Sequence, residues 1–141
     1  MQAVMPLPPR ALASATLAVA LTMVCLDLVW LGAVARPFYA AQLGPLLAAP
    51  ALAPVAAGFY LFYVGVILIQ AVGPATSPGD AAARGAWLGL VAYGTYELTN
   101  WAVIAGWPAL LVPVDLGWGI ALTATAAGLG RAAAERALPP A

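Results

Sequence analysis

The feature that most constrains this fold is a long apolar run with a single charged side chain. Between Ala11 and Ala35 the only charge is Asp27. A membrane-spanning helix needs about 20 mostly apolar residues, because the hydrocarbon core of a bilayer is about 30 Å thick. A secretory signal has a shorter apolar region of about 7–15 residues. The run therefore predicts an uncleaved first membrane span over residues 11–35.

The rest of the chain predicts three more spans, at about residues 55–72, 85–105 and 111–130. Residues 36–54 carry four prolines, which disfavour a continuous helix. Within them, the aromatic and apolar stretch Phe38–Leu47 is expected to lie along the membrane interface. The turn-rich segment 73–84 and Gly106-Trp107-Pro108 separate the later spans.

The predicted fold class is all-α: an integral membrane four-helix bundle with an interfacial segment between spans one and two, in one domain over residues 1–141. Composition agrees with this, since 65% of the residues are hydrophobic and only 7% are charged, against about 25% charged in soluble domains. Nucleic-acid binding is not expected, because it requires a basic patch. With no His and one Cys, we expect no cofactor and no zinc, copper or iron–sulfur site, while oxygen ligation of a hard cation stays open.

The arginines predict the orientation of the chain. Four crossings place the N-terminus, residues 73–84 and the C-terminus on one side of the membrane. Arg36 lies on the other side, and four arginines share the first: Arg10, Arg84, Arg131 and Arg136. Since positive residues are retained in the cytoplasm, both termini are expected to be cytoplasmic.

Polar side chains recur at helical spacing inside the predicted spans. A charge in the hydrocarbon costs at least ~2.5–3.5 kcal/mol, so each needs a partner or a function. Asp27 and Glu97 lie ~10–12 Å below the outer helix ends at 1.5 Å per residue, whereas the inner half has the small-residue pattern Gly85-x-x-x-Gly89, which permits close helix packing. We therefore predict an outward-facing polar and aromatic pocket. Its candidate ligand-binding residues are Asp27, Trp30, Tyr60, Tyr63, Tyr93, Tyr96, Glu97, Asn100, Asp115 and Trp118.

Structural roles are alternatives for several of these residues. Asp115 is expected in the first turn of the fourth span, where the helix dipole stabilises a carboxylate. Asp27 could hydrogen-bond to the third span and connect two helices. Three tryptophans suit an interfacial belt, namely Trp30, Trp101 and Trp107.

The three outer carboxyls also raise a question of charge. Only Arg36 is expected near them, and burial and mutual repulsion favour the protonated form of a carboxyl. Asp27 and Glu97 are therefore expected to be neutral, to share one proton, or to face a bound cation or amine. The sequence leaves these possibilities open.

Four motifs carry a resemblance to a known family: DLVWLG at 27–32, YGTYELTN at 93–100, GWP at 106–108 and VDLGWG at 114–119. With these motifs the chain resembles the domain-of-unknown-function 2177 (DUF2177) family of predicted bacterial membrane proteins, from about residue 15 to 131. That family usually has Asp where this chain has Glu97, so the carboxyl is kept on a longer side chain. The resemblance implies a small, multi-span protein of the bacterial inner membrane and implies no particular reaction.

Three functions remain as hypotheses at this point. The first is a module that binds, or helps to transport, a lipid, a small apolar molecule or a cation in the predicted pocket. In this first case a homo-oligomer could provide the transport pathway. The second is an accessory or scaffold subunit of a larger membrane complex, in which the polar stripe is internal hydrogen bonding. The third is an intramembrane enzyme on a lipid-like substrate, with Asp27 and Glu97 as general acid and base. Membrane lipids are expected partners in all three.

Overall fold

A computed structural model describes residues 7–47 and 52–139, and within these ranges every regular element is helical. Residues 48–51, part of the expected interfacial segment, lie outside the described residues. The five α-helices are α1 (Pro9–Val29), α2 (Arg36–Leu43), α3 (Ala53–Ile67), α4 (Pro78–Val103) and α5 (Leu111–Arg136).

Three helical segments are long and apolar enough to cross a membrane: Pro9–Val34, Ala53–Val72 and Leu111–Arg136. They correspond to predicted spans one, two and four. The third predicted span lies in α4, which has 26 residues and thus a length of about 39 Å. Its C-terminal half carries the polar block that begins at Tyr93, which lowers the mean hydropathy of α4 and excludes it from the apolar segments.

Spans one and two both end in a wider π-helical turn. The backbone N–H of Ala35 donates to the carbonyl of Trp30 at 2.7 Å, and that of Gly73 donates to Leu68 at 2.8 Å. These bonds close turns of five residues rather than four, Trp30–Val34 and Leu68–Val72, a local change in pitch that is rare in helices. The first of these turns begins at Trp30, one of the candidate site residues.

Glycines bring α4 and α5 into backbone contact. A Cβ added to Gly85 would lie 2.8 Å from Ala127 Cβ, and one added to Gly89 would lie 2.8 Å from the carbonyl carbon of Gly119. Residues with higher numbers in α4 contact residues with lower numbers in α5, so the two helices are antiparallel. This close approach is the small-residue packing expected for the inner half.

Helix α5 also packs against span one and the end of span two. Gly130 lies against Val19 and Val72, and the Arg131 guanidinium donates to the Val72 carbonyl at 3.5 Å. By contrast, α3 is loosely packed: its buried residues are Tyr63, Val64 and Ile67. The N-terminal part of span two therefore stands away from α4, whereas its C-terminal turn, Leu68–Val72, contacts α4 and α5.

One boundary and one residue position correct the sequence-based expectations. Helix α4 begins at Pro78, so residues 78–84, expected in a loop, are helical. The Ser77 hydroxyl caps this helix by accepting from the backbone N–H of Asp80 at 3.1 Å, an arrangement that stabilises helix starts. Helix α5 begins at Leu111, as predicted, but Asp115 lies at the start of its second turn and not in the first, because residues 111–114 complete the first turn.

The segment between spans one and two packs over the turn that joins α4 to α5. Helix α2 contributes Phe38, Tyr39 and Leu43 to a small apolar cluster around Trp107 and Leu111. The turn itself depends on Gly106, whose φ of 79° is readily adopted by glycine. Helix α2 thereby reaches the C-terminal end of α4 and the N-terminal end of α5.

Candidate functional site

Asp27 is the centre of a hydrogen-bonded group that connects three helices. The Tyr60 hydroxyl of α3 donates to one carboxylate oxygen at 2.7 Å, and the Trp118 indole of α5 donates to the other at 2.9 Å. Asp27 is 6% exposed. Two directed donors satisfy a buried carboxylate that would otherwise be costly in hydrocarbon.

A tryptophan stack connects this group to a second carboxyl. The rings of Trp30 and Trp118 are parallel, with centroids 4.5 Å apart. The Trp30 indole N–H points to the Tyr39 hydroxyl at 3.4 Å, and Tyr39 donates to Asp115. Helix α2 thus takes part in the polar network through Tyr39.

Glu97 is completely buried and lies beside Asp115. Its Oε2 accepts from the Trp107 indole at 3.0 Å, and Tyr39, which donates to Asp115, packs in the same cluster as Trp107. The other oxygen, Oε1, accepts no hydrogen bond from any described residue. Glu97 and Asp115 are called the carboxyl pair below.

The carboxyls of this network lie far from the ion pairs of the protein. Among the described residues, the two ion pairs are Arg84–Asp80 and Arg131–Glu135, both at the opposite end of the helices. Burial, followed by the hydrogen bond to Asp115, raises the pKa of Tyr39, so the phenol keeps its proton as a donor. The carboxyls are held by aromatic N–H and O–H groups.

The remaining tyrosines lie closer to the middle of the helices. Tyr63 and Thr123 share a buried hydrogen bond of 3.0 Å between α3 and α5. The Tyr93 ring packs directly on Gly119, leaving no room there for a side chain. Tyr96 is about half exposed and packs edge-on against Trp107.

A lateral cleft lies between the loosely packed α3 and helix α4. Its volume is about 480 Å³. Eight side chains form its walls, namely Phe59, Phe62, Tyr63, Val66, Leu88, Ala92, Tyr93 and Tyr96. Three of them, the tyrosines, are among the predicted site residues. The carboxyls, Trp30, Tyr60, Asn100 and Trp118 are not among its lining residues.

The candidate residues are thus distributed over three neighbouring groups. Asp27, Trp30, Tyr60 and Trp118 form the first. Glu97 and Asp115 form the second, and three tyrosines line the lateral cleft. Asn100 is half-buried on α4 near Tyr96.

Two polar contributors to the site were missed. Trp107 was expected in an interfacial belt but is buried and donates to Glu97. Tyr39 belongs to the segment expected along the membrane interface and was not among the candidate site residues.

Comparison with known proteins places the chain in a family. No curated protein matches the chain, and no solved structure matches it. The family model described as "Predicted membrane protein (DUF2177)" matches residues 12–132, which is most of the chain and includes the carboxyl pair and the lateral cleft. The match confirms the resemblance found in the sequence motifs, and the chain belongs to the DUF2177 family of predicted membrane proteins.

Proposed function

We propose that this membrane protein binds the hydrocarbon chain of a membrane lipid in the lateral cleft between α3 and α4. The observation that carries the proposal is a cleft of about 480 Å³ with walls of aliphatic and aromatic side chains. This volume is in the range of about 300–1,000 Å³ that is usual for ligand pockets. Because α3 belongs to an apolar span, lipid chains are the molecules that surround the cleft.

The size of the cleft favours a flexible chain over a partner helix. A helix about 10 Å wide that rises 5.4 Å per turn occupies ~420 Å³ per turn. The cleft therefore has room for about one helical turn, far less than a membrane-spanning partner needs. A hydrocarbon chain can follow the groove between the aromatic rings of Phe59 and Tyr93.

The chemistry of the lining favours an apolar ligand over a cation. The lining has no carboxyl and no arginine, and its polar atoms are the hydroxyl groups of three tyrosines. One of these, Tyr63, is already bonded to Thr123. The same composition gives no support to acid–base catalysis in the cleft. Asp27, the proposed acid or base, is instead an acceptor for Tyr60 and Trp118.

The accessory-subunit alternative rests on the exposed apolar face of α3. Leu61 and Phe62 are 79% and 69% exposed, so this face must be covered by lipid or by another protein. Lipid is the simpler covering, because lipid chains are as apolar as leucine and fill any shape. A second copy or another subunit is therefore an outcome that the experiment must be able to detect.

The test is native mass spectrometry of the protein released from lipid nanodiscs. Wild type is expected to retain one lipid per chain. Ala92→Phe fills the cleft and is expected to lose that lipid. The matched control is Ala102→Phe, an exposed alanine on the same helix that does not line the cleft, and it is expected to retain lipid like the wild type.

Two results would contradict the proposal. Equal lipid retention in Ala92→Phe and Ala102→Phe would mean that the retained lipid lies elsewhere. A stable dimer or hetero-complex that Ala92→Phe disrupts, with no lipid in the wild type, would assign the cleft to a protein partner.

We further propose that α4 is a fourth crossing and that both termini lie in the cytoplasm of a bacterium, with the protein in its inner membrane. The support for the crossing is the backbone contact of Gly85 and Gly89 with α5. A helix packed this closely along a span occupies the same depth in the bilayer. Its polar group Glu97 is sheltered from lipid because its side chain is fully buried.

Cysteine labelling tests this topology. In a Cys25→Ser background, Gly79→Cys places a thiol at the start of α4 and Ala109→Cys places one in the turn that joins α4 to α5, both at exposed positions. In whole cells, a membrane-impermeant maleimide is expected to label Ala109→Cys but to label Gly79→Cys only after permeabilisation. Labelling of both positions in intact cells would rule out a crossing by α4, and the reverse pattern would invert the orientation.

A further inference from the structure

The starting observation is a buried oxygen that lacks a hydrogen-bond donor. Glu97 is 0% exposed, and the Trp107 indole satisfies its Oε2 at 3.0 Å. No described residue donates to Oε1. Unpaired buried polar atoms of this kind are rare in folded proteins and usually indicate a missing partner.

The neighbouring group is another carboxyl. Asp115 is 7% exposed and accepts from the Tyr39 hydroxyl. Tyr39 packs in the same cluster as Trp107, whose indole donates to Glu97, so the two carboxyls are neighbours. If both carboxyls are ionised, no hydrogen is available to bridge them. Two adjacent negative charges away from water then repel each other, and such pairs ordinarily hold one proton between them.

We propose that Glu97 and Asp115 share one proton and form a proton-binding site of net charge −1, covered by Tyr39 of α2 and by Trp107. The shared proton supplies the donor that Oε1 lacks and removes one of the two charges. The pairing differs from one of the possibilities that the sequence left open, in which Glu97 shares a proton with Asp27.

The surrounding groups favour a proton over a metal cation. The other polar contacts of the pair are the Tyr39 hydroxyl and the Trp107 indole N–H, which are donors that stabilise an anion. A hard cation needs about six oxygen ligands, and these side chains do not provide them. A proton needs only the two carboxyl oxygens.

Among the described residues, five titratable groups surround the carboxyl pair. They are Tyr39 of α2, Tyr93 and Tyr96 of α4, and, farther away, Asp27 of α1 and Tyr60 of α3. Arg36 on α2 is exposed and makes no ion pair with a described residue. The groups that face the pair are therefore phenols and one further carboxyl.

Infrared difference spectroscopy of the full chain in nanodiscs is the direct test. A protonated carboxyl has a C=O stretching band that ionised carboxylates lack and that shifts in D₂O. The wild type is expected to show one such band at pH 7. Glu97→Gln and Asp115→Asn are each expected to abolish it, whereas Asp27→Asn, the matched control, is expected to keep it.

Three results would overturn the proposal. They are the absence of the band in the wild type at pH 7, its loss in Asp27→Asn with retention in Glu97→Gln, and a band that sodium ions displace. If Glu97→Gln and Asp115→Asn fail to fold, a pH titration of the wild-type band tests the proposal instead. A shared proton predicts that one carboxyl band, and not two, is lost as the pH rises. None of these results depends on whether the lateral cleft binds lipid.

Discussion

Gly89→Ala should weaken the protein through a single added methyl group. A Cβ at this position lies 2.8 Å from the Gly119 carbonyl carbon and 3.0 Å from the Thr123 hydroxyl. Ordinary carbon contacts are about 3.5–4.0 Å, so α4 and α5 must separate by roughly 1 Å, which weakens the dispersion contacts along their interface. Such overpacking costs about 1–3 kcal/mol.

Gly94→Ala on the same helix is the matched control. Gly94 is also buried, but a Cβ there meets nothing within 4 Å. Both substitutions gain the same helix preference of alanine over glycine, about 0.5–1 kcal/mol. That gain cancels between the two variants, so their free energies of unfolding should differ by the overpacking cost alone.

The assay is reversible unfolding in mixed micelles, followed by far-UV circular dichroism. A difference of about 1–3 kcal/mol corresponds to a roughly 5- to 150-fold difference in the unfolding equilibrium constant. Gly89→Ala should be the less stable variant, and Gly94→Ala should equal or exceed the wild type. Equal stabilities for the two variants would refute the backbone contact between α4 and α5.

Two further predictions use the same unfolding assay. Trp118→Phe and Tyr60→Phe should each lower the free energy of unfolding by about 0.6–1.7 kcal/mol, the usual range for interhelical bonds in membranes. The double variant should lose more than the sum of the two, because Asp27 then has neither donor. Strict additivity of the two losses would argue against this network. At the start of α4, the backbone N–H of Thr76 holds the pKa of Asp80 below 3.8. The ionised Asp80 therefore stabilises the fold fully above about pH 4, and this contribution should vanish as the pH falls through the lowered pKa. Asp80→Asn should lack that acid-dependent loss, and an identical pH profile would contradict the assignment.

Much of the architecture was predictable because it depends on local patterns. Apolar runs of sufficient length predicted the three helical segments that are long and apolar enough to cross a membrane. The cost of a charge in hydrocarbon predicted that Asp27 and Glu97 would be buried or paired. The spacing of Gly85 and Gly89 predicted close helix contact. Each of these inferences needs only residues of one helix and a rule of periodicity or solvation.

The start of α4 was predicted less well because two signals conflict there. The segment 73–84 is rich in Gly and Pro, which favours a loop. Pro78, however, lies at the first position of the helix, where no backbone donor is lost, and Ser77 caps it through the Asp80 N–H. The capping pattern was the available signal for a helix starting at residue 78.

Contacts made by connecting segments were beyond the sequence. Tyr39 and Trp107 reach the carboxyls only because α2 folds back over the turn between α4 and α5, and no pattern within either segment encodes that path. The lateral cleft is also a tertiary feature. It arises from the loose packing of α3 against α4. In the sequence, the residues that line it cannot be told from ordinary lipid-facing residues of a span.

Photolabelling with a lipid that carries a photoreactive acyl chain tests lipid binding in the lateral cleft most directly. If the cleft holds a lipid chain, the half-buried Leu88 and Val66 should be labelled in nanodiscs more strongly than Leu17 of α1, which is 63% exposed. Ala92→Phe should remove that preference. Labelling in simple proportion to exposure, with Leu17 above Leu88, would show that lipid only surrounds the protein and would contradict the account.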